Sequence, residues 1–276
     1  MKPFQKAAII GTGFIGGSLA LDLRKYGLAK EIVGVSRHTK SLERAKKICA
    51  IDSGSLDLNI ANGADLLIFS APVNVIIDLA PRLTKIVSKN CIVTDVGSTK
   101  ESIVKSLERL FPKYIGSHPL AGSEKRGVQY AHKDLFKNSL CILTPTRKSD
   151  KRALKLVERI WKKSGAKTIL LTPQLHDEIL AVISHLPHIA AFSLIASVPD
   201  NFLKFASGGL KDTTRIAGSD SELWAQIFLS NRKNLLENIA ILQNNISLIK
   251  SAIKNNDIQR LSEILEKAKN KRGRIR

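Results

Sequence analysis

Short apolar runs alternate with longer amphipathic stretches along the first 172 residues of the chain. The runs at 6–10 (KAAII), 31–37 (EIVGVSR), 64–72 (ADLLIFSAP), 90–98 (NCIVTDVGS), 114–119 (YIGSHP), 139–146 (SLCILTPT) and 166–173 (AKTILLTP) read as buried strands. Between them, 14–27, 39–49, 73–87 and 148–165 carry apolar residues at helical spacing. That alternation predicts an α/β domain, a mostly parallel sheet covered on both faces, with ligands at the carboxyl ends of its strands. At Thr172 the pattern changes. From Pro173 onward only helical stretches follow (176–198, 221–255 and 256–270), so the expected domains are 1–172 and an all-helical 173–276.

Residues 9–17, IIGTGFIGG, take the first strand through a glycine turn into a helix. In such a turn Gly11 allows the tight bend, Gly13 lets a pyrophosphate approach the backbone, and Gly16 lets the helix pack closely. The amides of the helix start, beginning with Phe14 and Ile15, and the positive end of its dipole face the phosphates. A GxGxxG in this setting predicts a dinucleotide site. The second strand ends in Ser36, Arg37 and His38, where an Asp or Glu would accept the ribose 2'-hydroxyl of NAD. A hydroxyl and a guanidinium suit a 2'-phosphate, so NADP is expected. NAD is the alternative if Arg37 stacks on adenine or faces solvent.

Two later strand ends carry chemistry. DVGSTKES (95–102) sets Ser98 and Lys100 at a helix start, where Ser98 reads most simply as an N-cap. His118 precedes Pro119, which cannot continue a strand ladder, so its imidazole points into the ligand crevice and can take a proton near neutral pH. In the helical half, His185 and His188 share a helix face with Pro187 between them. His176 lies too far back along the helix to complete a compact metal site with them, and no metal is expected. A glycine-rich segment, 208–224, presents Asp212, Arg215 and Asp220. Arg215 either clamps a carboxylate or pairs with one of those aspartates.

Composition narrows the class. A chain of 276 residues with 43% hydrophobic content can fill a substantial core. Cys49, Cys91 and Cys141 are odd in number and widely spaced, and MKPFQKAAII lacks the features of a signal peptide, so a reduced, cytoplasmic protein is expected. Residues 179–199 contain no Asp, Glu, Lys or Arg, yet include His185, His188, Pro187 and several serines. They read as a helix buried in the protein or between two subunits, not as a membrane span. The net charge of +20 is scattered over helices, and aromatics make up only 5%. That distribution argues against specific nucleic-acid binding, and the basic tail 267–276 reads as a solvated terminus.

GTGFIGG, DVGSTK, GSHPLAGSEKRG, SHLPH and DTTRIAGSDSELW, in this order and spacing, resemble the prephenate and arogenate dehydrogenases of tyrosine biosynthesis over nearly the whole chain. The resemblance implies an N-terminal Rossmann-type domain followed by a helical domain through which two subunits form a homodimer. It implies NAD(P)-dependent oxidative decarboxylation of a small molecule, prephenate or, alternatively, arogenate. It assigns His118 as the base and Ser98, against the N-cap reading, as the group orienting the substrate hydroxyl. His188 would contact substrate, Arg215 would hold a carboxylate, and Glu124 and Asp212 would frame the pocket.

Overall fold

The computed structural model describes residues 2–122 and 127–275. Its strands are β1 (Phe4–Ile10), β2 (Ala29–Val35), β3 (Ser53–Ser55), β4 (Leu66–Phe69), β5 (Ile92–Asp95), β6 (Tyr114–Pro119), β7 (Leu140–Thr144) and β8 (Lys167–Leu170). They form one sheet in the order β3-β2-β1-β4-β5-β6-β7-β8. From β3 to β6 all pairings are parallel; β7 runs antiparallel to β6, and β8 parallel to β7. β3, a three-residue edge strand of Ser-Gly-Ser, has no apolar pattern to announce it.

Period-two alternation divides the central strands between two cores. Ala7, Ile9, Leu66 and Ile68 face a layer containing Leu19 and Leu23 of α1 (Phe14–Lys25), Leu42 and Ala45 of α2 (Thr39–Lys47), and Val157 and Trp161 of α5 (Lys151–Lys163). Ala8, Ile10, Leu67 and Phe69 face α3 (Val73–Leu83) and α4 (Glu101–Leu107), through residues such as Ile76, Ala80 and Ile103. Burial on both sides is why these strands are continuously apolar. It also leaves the strand ends as the places where polar groups meet.

Beyond β8, Thr172 caps α6 (Pro173–Leu180) by accepting from Leu175 N at 3.2 Å, with Pro173 in the first turn where its missing N–H is harmless. One π-helical turn, Ala181–His185, interrupts the run before α7 (Leu186–Ala196). The glycine-rich segment is largely helical: α8 (Gly208–Thr214) carries Asp212, and a 3-10 turn, Arg215–Gly218, follows. The helix expected over 221–255 is broken at Asn231 into α9 (Ser221–Ser230) and α10 (Arg232–Lys254). α11 (Ile258–Arg272) is capped by Asp257, which accepts from Arg260 N at 2.9 Å.

By compactness the chain divides into Met1–Asn231 and Arg232–Arg276. The first unit reaches past Thr172, where His176 of α6 meets His118 of β6, Asp177 bonds the start of α4, and Asn231 reaches back to Asp177. The run Pro173–Ala196 is apolar and long enough to cross a membrane, and only 22% of its most apolar window is buried. Val182, Ile183 and Leu194 are exposed, so this surface is not covered within the chain.

Candidate active site

The glycine turn has the shape a dinucleotide needs. Gly11 has φ +104°, and a Cβ there would lie 2.0 Å from the Ser70 carbonyl oxygen at the end of β4. A Cβ at Gly16 would meet the Gly11 carbonyl at 2.2 Å, so α1 sits against the turn itself. At Gly13, by contrast, nothing stands within 4 Å of the Cβ position. That open side leaves room for a pyrophosphate to approach the backbone. Gly17 N donates to Gly13 O at 2.8 Å, leaving the preceding amides of Phe14, Ile15 and Gly16 without a carbonyl one turn back in the helix. No side chain caps this end and its first turn holds no acidic residue, so donors and dipole suit a phosphate. At the end of β2, Ser36 Oγ accepts from His38 N at 3.3 Å, while Arg37 and His38 are exposed.

At the ends of β5 and β6 the polar groups form a closed network. Asp95 and Lys100, neither exposing any side-chain surface, are ion-paired. Lys100 Nζ also donates to Ser117 O at 2.8 Å; Asp95 accepts from Tyr114 OH at 2.7 Å and Gly97 N at 2.8 Å. These bonds pin the 95–100 turn to β6, so Ser98 and His118 follow from the ends of neighbouring strands. Ser98 is not an N-cap. Lys100 occupies that position in α4, and its side chain does not cap. Capping comes from across the fold: Asp177 of α6 accepts from Lys100 N at 2.7 Å and Glu101 N at 2.9 Å. Ser98 Oγ makes no hydrogen bond among the described residues.

His118 is partly exposed, and its Nδ1 lies 2.9 Å from Nε2 of the buried His176. His176 Nδ1 is in turn 2.7 Å from Asp177 Oδ1. Burial holds the His118 pKa well below its ordinary value, reinforced by the charges of His176, Lys100 and His185. His176 is lowered by burial against the raising effect of Asp177. Asn231, at the break between α9 and α10, donates to Asp177 O at 2.7 Å and lies 3.1 Å from His185 Nδ1. His185 is buried, its pKa pushed down by burial to about 4.

His188 joins this cluster through Trp224, whose ring lies edge-on to His185 with centroids 6.1 Å apart. The His188 ring stacks on Trp224 with centroids 3.4 Å apart and planes 20° from parallel, and its Nδ1 donates to Ser184 O at 2.9 Å. Burial lowers its pKa, against the raising effect of the Ser184 bond, with a further lowering from the Arg215 charge; α7 packs against the 3-10 turn that carries Arg215. Asp212 is exposed on α8. Glu124 lies outside the described residues. Sequence reasoning named His118, His188 and Arg215 but gave no site role to Asp95, Lys100, His176, Asp177 or Trp224. One signal was present: DVGSTK sets opposite charges around a glycine at a strand end, where burial requires that they pair.

A β3-β2-β1-β4-β5-β6 parallel core, an open glycine turn at its centre, and an uncharged histidine at a nearby strand end define a dinucleotide-dependent dehydrogenase. Residues 19–170 match the family profile described as prephenate dehydrogenase, nucleotide-binding domain, and 172–267 match prephenate dehydrogenase, dimerization domain. The prephenate dehydrogenase of Bacillus subtilis (strain 168) is 32% identical over 275 residues, covering 96% of this chain and 74% of the relative. Among solved structures, prephenate dehydrogenase from A. aeolicus, in complex with hydroxyphenyl propionate and NAD+, superposes with a TM-score of 0.92 at 36% identity, covering 99% of this chain and 98% of the other. Synechocystis arogenate dehydrogenase gives 0.82 at 31% identity, covering 98% and 99%. The chain belongs to the prephenate and arogenate dehydrogenase family, whose members are NAD(P)-dependent oxidoreductases.

Proposed function

We propose that this chain oxidatively decarboxylates prephenate to 4-hydroxyphenylpyruvate, with His118 as the base. The observation that carries the reading is His118 itself: partly exposed at the carboxyl end of β6, and kept uncharged at neutral pH by its surroundings. His118 takes the proton of the C4 hydroxyl, which Ser98 orients. Bound NAD(P) supplies the hydride acceptor. Loss of carbon dioxide from C1 then leaves its bonding electrons in the ring, which becomes aromatic. The protein's task is a base, a carboxylate clamp and alignment. Arg215 is the clamp, beside His188, which contacts the substrate side chain; Glu124 and Asp212 frame the pocket. Ser36 and Arg37 receive the 2'-phosphate of NADP. Phe14 and Ile15 present the amides that hold the pyrophosphate.

The functional division falls between 172 and 173. The helical part joins two copies in a cytoplasmic homodimer, and this covers the exposed apolar residues of α7 and the preceding π turn.

One observation favours arogenate instead. With Nδ1 donating to Ser184 O, an uncharged His188 has only an acceptor, Nε2, to offer. The ammonium of arogenate would donate to it; the keto acid of prephenate has no donor. Initial rates of reduced-nicotinamide formation, crossing prephenate and arogenate with NAD and NADP, separate these readings. His118→Asn is expected to lower kcat by about 10²-fold or more with cofactor affinity unchanged. Near-normal turnover in that variant, or no turnover of any of the four pairs by the wild type, overturns the assignment.

A further inference from the structure

We propose that His176 and Asp177 set the tautomer of His118, so that its Nε2 is the nitrogen free to take the substrate proton. The inference rests on the reading of His118 as the base and names the groups that make it competent. Asp177 accepts two backbone N–H bonds, from Lys100 and Glu101, so its carboxylate is fixed in place as an acceptor. His176 Nδ1 therefore carries the proton in the 2.7 Å bond to Asp177 Oδ1. An uncharged His176 then has only a lone pair at Nε2. At 2.9 Å from that lone pair, His118 Nδ1 must be the protonated nitrogen, and its own lone pair is left on Nε2 at the opposite edge of the ring. Nε2 makes no hydrogen bond among the described residues.

The competing arrangement has a doubly protonated His176 donating to His118 Nδ1, which puts the proton of His118 on Nε2 and removes the base. The surroundings oppose it. His176 is fully buried, and its region already holds the Lys100 ammonium. The pair is also anchored from several elements. Asp177 caps α4 with its side chain and takes Asn231 Nδ2 at 2.7 Å on its carbonyl, so α4, α6 and the end of α9 all fix the pair. His176 and Asp177 are positioning residues; neither needs to touch substrate.

The direct test is the 15N spectrum of the histidine-labelled, ligand-free wild type at neutral pH, where ring couplings report which nitrogen bears the proton. His118 is expected with its proton on Nδ1; a proton on Nε2 overturns the proposal. Kinetically, His176→Leu is expected to lower kcat about 10²- to 10⁴-fold, the upper figure being the loss when a triad histidine adopts the wrong tautomer. KM and cofactor affinity should stay within about threefold, as an orientation defect requires. His176→Gln, whose amide oxygen can still accept from Nδ1, should recover part of the loss. If His176→Leu turns over within about threefold of wild type, or Gln recovers nothing, the proposal fails. Should His176→Leu not fold, the wild-type spectrum still decides. A proton on Nδ1 together with an active His118→Asn would instead remove the base reading while leaving the tautomer assignment standing.

Discussion

Replacing Lys100 by methionine removes one half of an ion pair in which neither partner exposes side-chain surface. Methionine keeps the stem's volume, so the change isolates the charge. Stranding one partner of a buried pair costs about 3–5 kcal/mol. Here Asp95 retains Tyr114 OH, Gly97 N and Ser117 N as donors, which places the expected loss near the lower end, about 3 kcal/mol. The Ser117 carbonyl also loses its ammonium donor. In the double variant Asp95→Asn with Lys100→Met no charge is stranded, and much of the loss should return, leaving about 1–2 kcal/mol for broken hydrogen bonds. Urea unfolding followed by circular dichroism measures this through the midpoint, with m unchanged. A single variant within 1 kcal/mol of wild type (about the size of one ordinary hydrogen bond) refutes the reasoning, as does a double variant no more stable than the single.

Gly13→Ala has room for its Cβ and an ordinary φ of −85°, so stability should change by less than about 1 kcal/mol while affinity for either cofactor falls about tenfold; equilibrium titration with NAD and NADP checks it. Ser36→Asp should weaken NADP relative to NAD by about tenfold or more in kcat/KM, because a carboxylate repels the 2'-phosphate and accepts a 2'-hydroxyl; an unchanged ratio removes the NADP preference. His185 titrates at about 4 in the fold and ~6.5 in the unfolded chain. Between those values the unfolded chain binds a proton the folded one refuses, so stability falls as pH drops through that window, by up to about 3 kcal/mol. Unfolding free energies at neutral and acid pH should show that loss, and His185→Gln should remove its share, leaving the part contributed by the other histidines lowered by burial, His118, His176 and His188.

The sheet was legible because burial on both faces makes each central strand an apolar run, and because glycines at 11, 13 and 16 mark where the chain turns. β3 was not, since Ser-Gly-Ser has no apolar period and owes its pairing to β2. The break at Asn231 was hidden for a related reason. An asparagine inside a long helical pattern ends it only because its amide is needed at Asp177 O and near His185, a requirement set by tertiary structure. His118 stood out through its strand end and proline. His176 did not, because its partner lies 58 positions away and spacing along one helix says nothing about a strand packed beneath it.

The π turn at Ala181–His185 amounts to one surplus residue in an otherwise continuous helical run. Each α-helical residue advances the face by about 100°, so deleting one residue there would iron the run into regular helix and swing everything after it around the axis. His188 would then leave the Trp224 ring, and the exposed Leu194 would point in a new direction relative to Val182 and Ile183. A change of a single codon could thus re-aim His188 relative to His176 and His118 while leaving every side chain in the sheet domain untouched.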